Sequence, residues 1–166
     1  MKGKAGLVLS LALGLGFLAL LAVSFRGQVL RKPAFPPHLG GLELTHQVSG
    51  PDAIRDIERL HGVRMDIADA SIFHYSAGGD RVQVWVARAP SEKGAEDLLQ
   101  RMTLGMEGGN SPFTPPRLQI IDGREVFFSQ GQGAYHYYYR KGDRVVWVQI
   151  EAPDPQLLLQ EALRIF

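Results

Sequence analysis

Apolar and polar residues alternate with a helical or a strand period along most of this chain, but the stretch near its start has no polar face. Ala5 to Phe25, AGLVLSLALGLGFLALLAVSF, carries no charge and follows Lys2 and Lys4. As a helix rising about 1.5 Å per residue, it would be roughly 30 Å long, the thickness of a bilayer's hydrocarbon core. A cleaved secretory signal has a shorter apolar region, about 7 to 15 residues, and ends in a small-x-small site. Ala22 and Ser24 could form such a pair, yet no polar region precedes them and Phe25 follows directly. The expectation is a retained signal-anchor helix over residues 5–25 behind a basic tail, residues 1–4. Flanking charges are nearly balanced, with Lys2 and Lys4 against Arg26, Arg31 and Lys32. A short tail ahead of a long folded region favours tail inside, C-terminal domain outside. That makes it a single-pass protein of the cell membrane with an extracytoplasmic domain.

Residues 26–41 read RGQVLRKPAFPPHLGG. Pro33, Pro36 and Pro37 favour an extended, semi-rigid chain, and Gly40-Gly41 ends it, so this segment reads as a basic stalk. The remainder, residues 42–166, is the size of one domain and can bury a core.

Within it, Leu42 to Val48 predicts a strand. Ser49, with Asp52 three residues later, predicts a helix start, after which Ile54, Ile57 and Leu60 share a face. Ile67–Tyr75 and Arg81–Arg88 predict strands joined at Ala77-Gly78-Gly79-Asp80. Ser91 predicts a second capped helix with Ala95, Leu98, Leu99 and Met102 inward, and residues 105–116, GMEGGNSPFTPP, predict a loop. Leu118–Ile121 and Glu125–Phe128 flank Asp122-Gly123, a strong hairpin signal. Tyr135–Arg140 and Arg144–Ile150 flank Lys141-Gly142-Asp143. Asp154 and Pro155 open a last helix with Leu159, Ala162, Leu163 and Phe166 on one face. The order is β-α-β-β-α followed by β-β-β-β-α. Hairpins imply antiparallel pairing, so the expected class is α+β, an antiparallel sheet with helices on one face.

The two halves share features that raise a hairpin-helix duplication as an alternative to convergence. His74-Tyr75 precedes Trp85-Val86 as His136-Tyr137 precedes Trp147-Val148, and Gly-Asp-Arg-Val recurs at Gly79 and Gly142.

Charge then changes the picture of partners. All 17 acidic residues follow Gly41, against 13 of the 18 basic ones, so the head is near −4 on a basic stem. An acidic head without basic clusters argues against nucleic acid, and a basic juxtamembrane stem favours anionic headgroups. The chain has no cysteine. Disulfides, thiolate catalysis, Cys-ligated zinc and covalent c-type haem are excluded.

Strand alternation supplies the candidate residues. Phe73, Tyr75, Val82, Val84 and Val86 share one face of the first hairpin, and His74, Gln83 and Trp85 the other. In the second hairpin Tyr135, Tyr137, Val146, Val148 and Ile150 oppose His136, Tyr138, Val145 and Trp147. The valine faces are expected to carry the helices. The His/Trp/Tyr faces have the amphipathic composition of an interface, so His74, Trp85, His136, Tyr138 and Trp147 form a candidate interaction surface; the plain alternative is a half-buried outer sheet face. Two imidazoles without a third ligand do not make a zinc site. Asn110 and Phe113 are a candidate recognition loop, or part of an ordinary connector. His61 with Asp66 and Asp69 lacks a nucleophile at an elbow, and Gly131-Gln-Gly133 opens no helix, so neither reads as catalytic or nucleotide-binding. No catalytic residue, cofactor or metal is expected. The favoured function is a non-catalytic accessory, assembly or binding domain, partnered by a membrane complex or by self-association. The alternative is a small-molecule sensor with a pocket between the two hairpin-helix halves, and an enzyme stands third.

Overall fold

Each of the expected strand pairs forms, because the turn chemistry between them permits tight reversals. Asp122 (φ 50°) and Gly123 (φ 74°) both adopt the left-handed region, the geometry of a two-residue hairpin turn matched to strand twist. The computed structural model describes residues 35–108 and 112–166. The expected tail, the apolar run 5–25, the stalk up to residue 34 and Asn110 lie outside the described residues. Among the described residues no helix is long and apolar enough to cross a membrane.

The folded unit begins at Pro36. It contains strands β1 (His38–Leu39), β2 (Leu42–Ser49), β3 (Asp69–Ala77), β4 (Asp80–Arg88), β5 (Arg117–Ile121), β6 (Arg124–Gly131), β7 (Ala134–Lys141) and β8 (Arg144–Glu151). Helix α1 (Pro51–His61) joins β2 to β3, α2 (Glu92–Glu107) follows β4, and α3 (Gln156–Ile165) follows β8. The class is α+β. One eight-stranded sheet runs in the order β1-β2-β3-β4-β8-β7-β6-β5, and every neighbouring pair is antiparallel. Two four-stranded meanders thus meet at the β4–β8 seam. His38 and Leu39, within the residues whose composition suits a stalk, add the first strand.

The helix ends follow from capping chemistry. Ser91 Oγ accepts a hydrogen bond from the Gly94 N–H at 3.0 Å, as the sequence predicts. Helix α2 then runs two residues past Gly105. Asp154 Oδ1 accepts from the Gln156 N–H at 3.1 Å, at the entry to α3. Ser49 does not cap α1. Gly50 takes that position with φ 70°, Pro51 opens the helix, and Ser49 Oγ instead accepts from Gln47 Nε2 and Ser71 Oγ.

Helices cover both faces of the sheet, which corrects the expectation of one. Ala53 and Ile57 of α1 pack on Ala70 and Ile72, with Trp85 and Ala87 against the same cluster. Ala95 and Leu98 of α2 pack on Val145. These sheet residues belong to the Trp-bearing face. Helix α3 lies on the valine face instead: Phe166 sits 5.3 Å from Phe73, ring to ring, and Tyr139 OH donates to the Ala162 carbonyl. Leu159, Ala162, Leu163 and Phe166 are all buried there, as the helical period predicts.

This ten-residue helix, about 15 Å long, touches both flanks of the sheet. A Cβ on Gly40, beside β1, would lie 2.7 Å from a methyl of Leu158. Arg124 of β6 donates to the Leu163 carbonyl at 2.8 Å. Laid flat, β1 and β6 would be about 29 Å apart, six strand spacings. The sheet is therefore curled around α3. Val82, Val84, Val146, Val148 and Ile150 line the trough and are all essentially inaccessible.

Val84 and Val148 face each other across the seam under α3. Truncating either to Ala should cost about 1 to 3 kcal/mol through lost burial and a residual cavity. Urea denaturation checks this; a midpoint unchanged from the parent protein would refute the core assignment.

Candidate functional site

On the Trp-bearing face, strand register lays side chains in rows that cross the sheet. Ile72, Trp85, Trp147, Tyr138 and Phe127 are successive partners in one row. Across β8, β7 and β6 the aromatic rings stack: Trp147 on Tyr138 at 5.1 Å and 6°, and Tyr138 on Phe127 at 5.1 Å and 10°. Tyr138 is fully buried, and its hydroxyl donates to Thr103 Oγ1 of α2 at 3.2 Å. Trp85 and Trp147 are each half-buried.

The next row contains His46, His74, Gln83, Gln149, His136 and Ser129. His74 and His136 are three strand spacings apart, about 14 Å, and share no ligand position. Among the described residues no three His, Asp or Glu side chains converge as a metal group. His136 is 1% exposed, and its surroundings fix its proton. Nε2 donates to the Gly131 carbonyl at 3.1 Å, so that nitrogen carries hydrogen. The Trp147 indole, which can only donate, bonds Nδ1 at 3.2 Å, so Nδ1 must be the bare acceptor. Burial, the largest cause, lowers its pKa; the Gly131 bond and Glu151 oppose this more weakly.

Phe113 closes the cluster. Its ring is 4.7 Å from His136 and 5.7 Å from Trp147, both edge-on. The segment after α2 crosses the sheet here, bridging Phe113 to Gly131 of β6, with Thr114 donating to the Gln130 carbonyl at 2.7 Å. Gly131 thus has a packing role that neither a loop nor a nucleotide fingerprint would give it. A Cβ there would lie 2.6 Å from the Pro112 carbonyl oxygen and 2.5 Å from the Phe113 ring.

Of the five residues singled out as an interaction surface, His136 and Tyr138 are therefore interior, and Trp147 is tied to both. Trp85 packs beside α1. His74 opens onto a groove, a depression of ≈ 170 Å³ between β2, β3, β4 and β8. Burial and then the like charge of His46, ring centroids 5.4 Å apart, lower the His74 pKa. Gln83 Nε2 lies 3.4 Å from its Nε2. On the floor, Arg81 pairs with Glu151 at 2.8 Å, and Gln149 Nε2 donates to the other Glu151 oxygen at 2.9 Å. Thr45 Oγ1 is committed to the His74 carbonyl. Most of the residues that line the groove carry polar side chains able to hydrogen-bond a small guest, and Arg81 and Glu151 balance each other's charge.

The β5 edge differs in kind. Its residues Arg117 to Ile120 are exposed, and Leu118 and Ile120 are 53% and 66% accessible. They alternate onto the Trp-bearing face, with Leu118 opposite Phe127. Periodicity predicts this strand but not its place at an edge, so the exposure was not legible in sequence. Elsewhere, His61 Nδ1 donates to the Ile57 carbonyl of its own helix, and Asp66 and Asp69 are exposed. No protein-family model, curated protein or solved structure matches this chain.

Neutral His136 sets a pH dependence. Its folded pKa lies below the ordinary 6.5, so the unfolded chain takes the proton first. Stability is full above about pH 6.5 and falls as pH drops from there toward the lowered folded value; His74 adds the same sign. His136→Asn should be less stable at pH 7.5 yet flatter between pH 7 and 5.5 in thermal melts. Equal slopes in parent and variant would refute the assignment.

Gly131→Ala should destabilise by about 1 to 3 kcal/mol, because the clash is with backbone as well as a ring. A melting temperature equal to the parent's would show that the Phe113 crossing is not held there.

Proposed function

We propose that this chain is a membrane-anchored, non-catalytic accessory or binding domain displayed outside the cytoplasm, and that it meets its partner at the β5 edge. The anchor in this reading is the apolar run from Ala5 to Phe25. The observation that carries the partner surface is the β5 strand, whose apolar side chains stand open while α1, α2 and α3 cover the sheet's other apolar rows. An exposed edge strand offers a row of backbone donors and acceptors, and apolar side chains beside it add affinity and register.

The groove beside His74 favours a second reading, a sensor of small polar molecules. It draws Arg81 and Gln83 from one meander and Gln149 and Glu151 from the other, so an occupant would bridge the seam.

Crosslinking pull-down of the full chain from native membranes separates the two. The accessory reading expects intact protein in the carbonate-washed pellet and a reproducible crosslinked partner that Ile120→Lys reduces at least tenfold. A recovered set unchanged by Ile120→Lys, or no partner at all, overturns it. The sensor reading then expects a small polar ligand to raise the melting temperature of parent protein but not of His74→Ala.

A further inference from the structure

We propose that the β5 edge pairs with the β5 edge of a second copy of this chain, antiparallel, about a two-fold axis through Gln119. This rests on the reading of β5 as the partner surface and names the partner. The register follows from the hairpin. Ile121 and Arg124 flank a two-residue turn, and the residues flanking such a turn exchange both backbone hydrogen bonds. By alternation Gln119 and Arg117 also direct their backbone groups at β6. Leu118 and Ile120 then point theirs outward, two N–H and two C=O groups on an edge that no other described strand pairs.

Antiparallel self-pairing can use those groups fully in one register, with Leu118 opposite Ile120 of the second copy and the reverse. That arrangement makes four intermolecular backbone hydrogen bonds. It also sets two Leu–Ile pairs on one face, at side chains 53% and 66% exposed in the single chain. Shifting the register by two residues in either direction leaves a single hydrogen-bonded pair. The charges agree with this choice. Arg117 falls opposite Ile121 of the second copy, next to that copy's Asp122, and neither Arg117 nor Asp122 has an ion-pair partner among the described residues.

A second copy is also the occupant that the rest of the sheet favours. A head-to-tail arrangement would have to pair β5 with β1, which is two residues long. Pairing β5 with itself is closed and self-complementary, the usual symmetry of homodimers. A five-residue edge is a small contact, in the weak class of interfaces, and tethering two copies to one membrane would raise their effective concentration.

The chain has no cysteine, so one introduced thiol reports the axis without background. Gln119 would face its own counterpart as a non-hydrogen-bonded pair, with Cα atoms about 4.5 Å apart, within disulfide range. In the full chain in native membranes, Gln119→Cys under copper-phenanthroline oxidation should give a dimer at least tenfold faster than Arg117→Cys. The Arg117 positions would be four residues out of register, about 13 Å apart and too far to bridge. Adding Ile120→Lys or, independently, Leu118→Lys should slow the Gln119→Cys dimer at least tenfold. Equal rates at 117 and 119, or a dimer indifferent to both lysines, overturn self-pairing. Trapping a different chain through Gln119→Cys would overturn self-pairing but leave the accessory reading standing. Trapping nothing would overturn both.

Discussion

Eight residue pairs, from Arg81 with Glu151 to Arg88 with Arg144, join β4 to β8, and the organisation of both faces follows from them. Each four-stranded half is a more local object, its strands linked by tight turns except where α1 joins β2 to β3. The seam is the non-local step, closing about 60 residues of chain, and it sets which side chains of the two halves become neighbours. Val84 meets Val148 on the face that α3 fills, and Trp85 meets Trp147 on the face shared by α1 and α2. A one-residue slip would turn every valine of one half out of the trough. Arg81 and Glu151 hold one end of the register with an exposed ion pair, worth little energy but favourable only in this alignment.

Local chemistry made much of this fold legible. Asp122-Gly123, Gly78-Gly79 and Gly142-Asp143 are turns that few sequences could mistake, and alternation between them assigned the valines to one face. What alternation cannot say is what covers a face. Trp85, Trp147, His136 and Tyr138 suit an interface or an interior equally, since each is an apolar body with a polar tip. The interior won for His136 and Tyr138 because α2 supplies the Thr103 hydroxyl and the chain after α2 supplies Phe113. The valine face, which seemed to need several helices, needed one because the sheet curls around it. Curl is a property of eight strands together and leaves no mark in any of them.

The internal repeat illustrates the same limit. His74 and His136, like Trp85 and Trp147, are 62 residues apart, but the tips of their hairpins, at Gly78-Gly79 and Gly142-Asp143, are 64 apart. Superposing the hairpins about the seam puts Val84 on Val148 and His74 on Tyr138, not on His136. Both histidines still share a face, since the mismatch is an even number of residues. The halves then part company: α2 and α3 follow corresponding strands and pack on opposite faces. The matching dipeptides are better explained by two hairpins that need similar turns, with both tryptophans and His74 half-buried and His136 fully buried.

The two edges of the sheet show where function was least legible. Edge strands invite pairing, and folded proteins usually blunt them with short length, proline or charge. The β1 edge is blunted in all but charge: it has two residues, Pro36 and Pro37 precede it, and Leu39 is buried while Gly40 sits against Leu158. The β5 edge is limited in length by Pro115 and Pro116, yet between Arg117 and the turn it presents Leu, Gln, Ile and Ile without a charge. Leu118 and Ile120 stay exposed although Phe127, the β6 partner of Leu118, already stacks on Tyr138 of β7. A sequence reader sees only five strand-forming residues there. The difference between an inner strand and an unguarded edge comes from the topology, which among the described residues ends the sheet at β5.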